Sequence, residues 1–202
     1  MRKSLIKSSL VHEIIVEKSR FIAYVTPICD ENDFLEFKRF VHQDASGARH
    51  YPYAYVIDNS ARASDDGEPS GTAGRPLLEL IGNLNLVNIA IIVVRYYGGV
   101  KLGAGRLLRT YVEAANQALA KIDKYIQIDS ALYRLIVRAA DLGRVEYLFV
   151  QDQIEIIDKE YRGESVVVTI NAPLSIDVEQ KFNLDLEYIK SSKIYRKEEQ
   201  DG

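Results

Sequence analysis

The stretch NIAIIVVRYYGGVKLGAGRLLRTY, residues 88–111, decides how the first half of this chain folds. Residues 89–94 form an unbroken apolar run without polar alternation, the pattern of a strand covered on both faces and therefore central in its sheet. Gly98, Gly99, Gly103 and Gly105 then interrupt the pattern. Beyond them the spacing predicts an amphipathic helix over residues 105–122, with Leu108, Val112, Ala115, Leu119 and Ile122 along one stripe. A strand that passes through glycines into a helix start presents free backbone N–H groups, the geometry that receives an anion.

The familiar phosphate fingerprints do not fit this loop. After Gly103 and Gly105 the position that a dinucleotide motif fills with glycine holds Leu108, and no Gly-Lys-Ser/Thr follows. The charges are more informative. No Asp or Glu occurs between Glu79 and Glu113, whereas Arg95, Lys101, Arg106 and Arg109 all fall in that window. Cations near a helix N-terminus oppose the helix dipole by roughly 0.3–1 kcal/mol each, so a phosphate-bearing partner is one reason to keep them. The other reading is that they turn outward or pair with carboxylates elsewhere.

Those carboxylates have an obvious source upstream. SDDGEPSGTAGRP, residues 64–76, gathers Asp65, Asp66 and Glu68 with Ser70, Thr72 and three glycines. The two loops face one another if both leave the same edge of the sheet. The acids are suited to holding a hard cation such as Mg2+, to acid–base work, to a salt-bridged network with the arginines, or simply to an exposed turn.

The remaining chain frames these loops. Residues 14–28 read as strand with a bend, and DENDFLEFKRFVHQD as a helix capped at Asp30, Asn32 or Asp33 with Phe34, Phe37 and Val41 inward. ARHYPYAYVID reads as a strand with Pro52 at an edge or entry position, and PLLELIGNL as a short helix with Pro76 in its first turn. From Gln127 the order is strand, helix over residues 135–150, two strands, a short helix and a final strand near residues 184–189, a β-α-β-β-α-β pattern. The closing KSSKIYRKEEQDG reads as a charged tail whose last residues fray.

Composition is consistent with this division. The chain has 202 residues, 47% of them apolar, enough for one or two cores. Up to Ile126 there are 16 basic against 14 acidic residues, and beyond it 10 against 15, which favours two units, residues 1–126 and 127–202. No apolar run approaches the ~20 residues of a bilayer crossing, and the start carries no signal-like apolar core, so a cytoplasmic location and no membrane partner are expected. Cys29 is alone, and with three histidines it makes no usual structural zinc site.

Other chemistry in the sequence is thin. Ser70 lies outside a nucleophile elbow, and Cys29 has no partner signature. His50 enters the tyrosine strand beside the acidic loop, where a single histidine is more often structural than catalytic. Tyr51, Tyr53 and Tyr55 share one strand face and Tyr96 and Tyr97 end the central strand; beside arginines such rings stack unpaired bases, or else they pack the sheet.

Taken together, KSRF at residues 18–21, the strand from His50 to Tyr55, DDGEPSGTAG with Pro76, and RYYGGVKLGAG with Arg109 and Tyr111 resemble the IMPACT family, in particular its bacterial YigZ-type members. The resemblance implies an α+β protein of two domains, a ribosomal-S5 domain-2-like N-terminal domain and a ferredoxin-like C-terminal one. This chain departs from the family pattern at Tyr51, where Asn is usual, at Val100 in place of Thr, and at Arg106 in place of Gly, which adds charge to the loop. Eukaryotic relatives carry an extra N-terminal domain and regulate translation through a kinase pathway; the bacterial type resembles nucleic-acid- or ribosome-associated proteins.

The expected function is therefore a non-enzymatic cytosolic protein that binds RNA, or a ribosomal or translation factor. Arg95, Lys101, Arg106 and Arg109 with Gly98, Gly99, Gly103 and Gly105 would form the phosphate site. Asp65, Asp66, Glu68, Ser70, Thr72 and His50 would shape the opposing loop. Two alternatives stand beside it. One is an enzyme acting on a phosphorylated small molecule with Mg2+ at Asp65, Asp66 and Glu68; the other is a protein-interaction module using the tyrosine strand and the second unit's sheet face.

Overall fold

A computed structural model describes residues 3–182 and 184–198. The chain divides into two compact units, the first running up to Ile126 and taking in the chain again from Lys197, the second being Gln127–Arg196.

In the first unit the elements are β1 (Lys3–Ile6), β2 (Leu10–Val16), β3 (Ser19–Pro27), α1 (Glu31–Asp44), β4 (Tyr53–Ile57), β5 (Ser60–Ser64), α2 (Gly74–Asn83), β6 (Ile89–Tyr96) and α3 (Ala104–Leu119). Five of the strands form a sheet in the order β2-β3-β6-β4-β5, which puts the apolar run of β6 at its centre. Alternation then divides the run between two cores. Ile89, Ile91 and Val93 pack with Leu77 and Ile81 of α2 and with Leu107, Tyr111 and Ala114 of α3. Ala90, Ile92 and Val94 face Phe34 and Val41 of α1. A strand buried on both faces has no room for polar alternation, which is why its sequence shows none.

Asp30 caps α1 by accepting from the amides of Asn32 and Asp33 at 2.8 and 2.9 Å. Pro52 lies just before β4, an entry position, and its carbonyl accepts from the amide of Val93 at 3.0 Å. The bend expected in residues 14–28 is a hairpin turn at Glu17 and Lys18, both with positive φ (49° and 64°). β5, the sequence SARAS, is a strand that no apolar pattern announces, because it is an exposed edge beside β4.

The second unit continues with β7 (Lys124–Arg138), α4 (Leu142–Gln151), β8 (Glu155–Arg162), β9 (Ser165–Pro173), α5 (Val178–Phe182) and β10 (Glu187–Lys197). β7 lies between β10 and β9, with β8 outside β9, and the element order is the β-α-β-β-α-β of a ferredoxin-like unit. Leu135, Val137, Val166, Val168 and Ile170 pack with Leu142 and Phe149 of α4 as its core. The whole is an α+β protein with two sheets.

Three sequence expectations are corrected. Residues 135–138 end β7 and do not begin a helix; Leu135 and Val137 alternate inward on the sheet, and α4 starts only at Leu142. The final strand begins three residues later than expected and takes in KIYRK, whose Ile194 is 1% exposed, so this part of the supposed tail is sheet. The last four residues of that tail lie outside the described residues. The buried stripe of α3 is also rotated: Leu107, Tyr111, Ala114, Ala115, Ala118 and Leu119 face inward, whereas Leu108 and Val112 flank them half-buried.

Candidate phosphate-binding loop

β4 is antiparallel to both β5 and β6, so β5 and β6 run the same way and their C-terminal ends open at one end of the sheet. From the first issues the acidic loop, which ends at α2; from the second issues the glycine loop, which ends at α3. Glu68 of the acidic loop reaches both elements that flank the glycine loop, β6 and α3. Its Oε1 accepts the Tyr111 hydroxyl at 2.6 Å and lies 3.4 Å from Arg95 Nη1. The Glu68 and Arg95 side chains are only 5% and 12% exposed, so this is an enclosed ion pair. Burial and the Glu68 hydrogen bond push the Tyr111 hydroxyl well above the usual tyrosine range, so it acts as a neutral donor.

Arg95 thus serves as part of the scaffold. Its guanidinium lies 5.5 Å from the Phe21 ring centroid and 5.3 Å from that of Tyr97, and its buried Nε has no hydrogen-bond partner among the described residues. Phe21 also meets Tyr111 edge to face at 5.2 Å. Tyr111 was not among the expected site residues. The signal that reveals it is its place four residues after Leu107 on the buried face of α3, where a hydroxyl must find a partner.

The aspartates organise the acidic loop itself. Asp65 Oδ1 accepts from the amides of Ala73 and Gly74, both at 2.9 Å, and Oδ2 from Gly71 at 2.8 Å, which caps the start of α2 from eight and nine residues upstream. Burial alone would raise its pKa; the three N–H groups outweigh that and hold the carboxyl below its ordinary value. Asp66 accepts from the Tyr51 amide at 2.7 Å, and its carbonyl pairs with His50 Nδ1 at 2.7 Å. Thr72 is 4% exposed and bonds the Pro69 carbonyl at 2.6 Å, whereas Ser70 is exposed. The three carboxylates therefore point at different donors, and among the described residues no group of three His, Cys, Asp or Glu side chains is arranged to hold a metal ion.

The glycine loop is built by a close approach. A β-carbon on Gly98 would stand 2.1 Å from the carbonyl carbon of Lys18, and the Gly98 amide donates to Ser19 Oγ at 3.0 Å, so only glycine lets the loop lie on the β2–β3 turn. Gly103, at φ 75°, ends the loop as the residue before α3 and supplies no side-chain cap. Among the described residues the first amides of α3 consequently lack the side-chain acceptor that Asp65 gives to α2. Gly99 and Gly105 have open space where a β-carbon would stand.

Around this helix start the cations differ in state. Lys101 and Arg109 are exposed and make no ion pair or hydrogen bond among the described residues. Arg106 pairs with Glu17 at 2.9 Å, both side chains being about half exposed (50% and 43%). The tyrosine strand does not contribute a stacking face: Tyr51 and Tyr55 are 7% and 3% exposed, and Tyr53 and Tyr55 pack on Phe34 of α1. Tyr97, by contrast, is 56% exposed.

Comparison with known proteins agrees with the motifs that frame these loops. Residues 17–119, which include both loops, match the family model described as the Impact N-terminal domain. The chain is 39% identical over 147 residues to IMPACT family member YvyE of Bacillus subtilis (strain 168), a match covering 70% of this chain and 66% of that one. It is 36% identical over 162 residues to an IMPACT family member of Haemophilus influenzae, covering 78% and 79%. A solved structure described as a hypothetical protein superposes with a TM-score of 0.61 at 28% identity, over 94% of this chain and 98% of the other. On the matched domain and these relatives, the chain belongs to the IMPACT family.

Proposed function

We propose that this protein is a non-catalytic nucleic-acid- or ribosome-associated factor that grips phosphate with the glycine loop and the start of α3. The observation that carries this reading is the contrast between the two sets of charges. Asp65, Asp66 and Glu68 are each engaged by donors of the protein itself, whereas Lys101 and Arg109 are exposed and have no partner among the described residues, beside a helix start without a side-chain cap. The acids therefore do not neutralise those two cations, and the field at the helix start favours an anion. A translation-linked role follows from the same reading, since ribosomal RNA is the most abundant polymer of phosphates in a cell, and it accords with what the family resemblance implies.

The test is cosedimentation with ribosomes and filter binding to single-stranded RNA across a salt series, for the wild type and for Lys101→Glu/Arg109→Glu. Loss of two phosphate contacts should reduce the slope of log affinity against log salt by about 1.4 for a single strand. Binding that is insensitive to salt and to both substitutions would defeat the proposal and favour a protein partner.

A further inference from the structure

Tyr97 follows directly on β6 and is 56% exposed, in contrast to the buried Tyr51 and Tyr55. Arg95 lies over its ring, 5.3 Å from the centroid, and Arg95 is itself held by Glu68. The backbone on both sides of Tyr97 is fixed. Tyr96 pairs with Arg20 in the sheet, and Gly98 is hydrogen-bonded to Ser19 and packed on Lys18 so closely that no side chain fits. The ring is therefore a large apolar surface set on a rigid stem, with a cation beneath it and a hydroxyl that makes no hydrogen bond among the described residues. Core packing does not account for such a residue, because Tyr97 belongs to neither hydrophobic cluster of the first unit.

We propose that Tyr97 is a stacking platform for an unpaired base, which makes single-stranded RNA the ligand class of the glycine loop. This rests on the phosphate reading above and deepens it. A base laid on the open face of Tyr97 would continue the stack that Arg95 begins, while the neighbouring phosphates reach the unpaired Lys101 and Arg109. Every base has a π face, so the platform is tolerant of sequence. A perfect duplex keeps its base faces occupied and offers this site its phosphates alone.

The experiment is filter binding of the full chain to a short unstructured RNA and to the same strand annealed to its complement. Tyr97→Ala should weaken single-strand binding about tenfold, in the range of one base–aromatic stack, and leave duplex binding and the salt slope unchanged. Tyr97→Trp should retain the affinity. Tyr97→Leu, which keeps apolar bulk without a π face, should lose it, and serves equally if the alanine variant folds poorly. If Tyr97→Ala and Tyr97→Leu bind the single strand as the wild type does, while Lys101→Glu/Arg109→Glu does not bind, the platform is overturned and the phosphate site stands. If the wild type binds neither RNA, both readings fall together.

Discussion

The hydroxyl of Tyr111 of α3 donates a hydrogen bond to Glu68 of the acidic loop at 2.6 Å, and the same carboxylate oxygen faces Arg95 of β6 at 3.4 Å. One carboxylate thus binds a helix, a strand and a loop that are far apart in sequence. Removing either partner leaves a buried polar group without its complement. Tyr111→Phe should cost about 1–3 kcal/mol in urea unfolding. Glu68→Gln, which leaves Arg95 enclosed and uncompensated, should cost more, about 3–5 kcal/mol. Equal, small losses would mean that water already reaches this pair.

Asp65 should make the stability of the first unit depend on acid. Its folded pKa lies below its ordinary 3.8, so the folded state favours the charged form. The stability this contributes is complete above the unfolded value and is lost as pH falls through the folded one. Thermal melts of the wild type should therefore decline on acidification below about pH 4, and Asp65→Ala should flatten that decline while lowering stability near neutrality by about 1–2 kcal/mol, the loss of a helix cap.

Two glycines of the same loop should respond in opposite ways. Gly98→Ala forces a β-carbon to 2.1 Å from the backbone of Lys18, so the end of β6 and the β2–β3 turn must separate. Gly105→Ala meets nothing within 4 Å on the first turn of α3, where alanine is favoured over glycine by roughly 0.5–1 kcal/mol. Chemical unfolding should show a clear loss for the first and a small gain for the second.

Glu17 restrains one cation of the loop, holding Arg106 at 2.9 Å in a half-exposed pair that contributes little to stability. Glu17→Gln should leave the melting temperature nearly unchanged and strengthen RNA binding at low salt, an effect that fades as salt rises. An unchanged affinity would place Arg106 outside the binding surface.

Much of the architecture was legible because local pattern and tertiary environment agreed. The apolar run of β6, the Asp30 cap of α1 and the apolar run at residues 166–168 of β9 each report their own surroundings. Where they diverged, the sequence misled. Leu135 stands in helical step with Leu142 and Phe149 across the junction of β7 and α4, and only sheet pairing to Val168 assigns it to a strand. β5 and the KSSK stretch of β10, residues 190–193, have no apolar signature, since an edge or exposed strand is held by backbone hydrogen bonds that leave no mark on side-chain type.

Sequence by itself determined the two-unit α+β organisation, the central strand, and the presence of one acidic and one basic glycine-rich loop, because each follows from periodicity, charge and turn chemistry within short segments. It left open what the acids were for. Tertiary structure decided that Asp65 caps α2, that Glu68 is spent on Tyr111 and Arg95, that Lys101 and Arg109 find no partner among the described residues, and that Tyr97 stays exposed beside Arg95. The physical reason is that the partner of a charge is set by distance in space. Glu68 and Tyr111 are 43 residues apart along the chain, and only parallel exits from β5 and β6 bring their loops together.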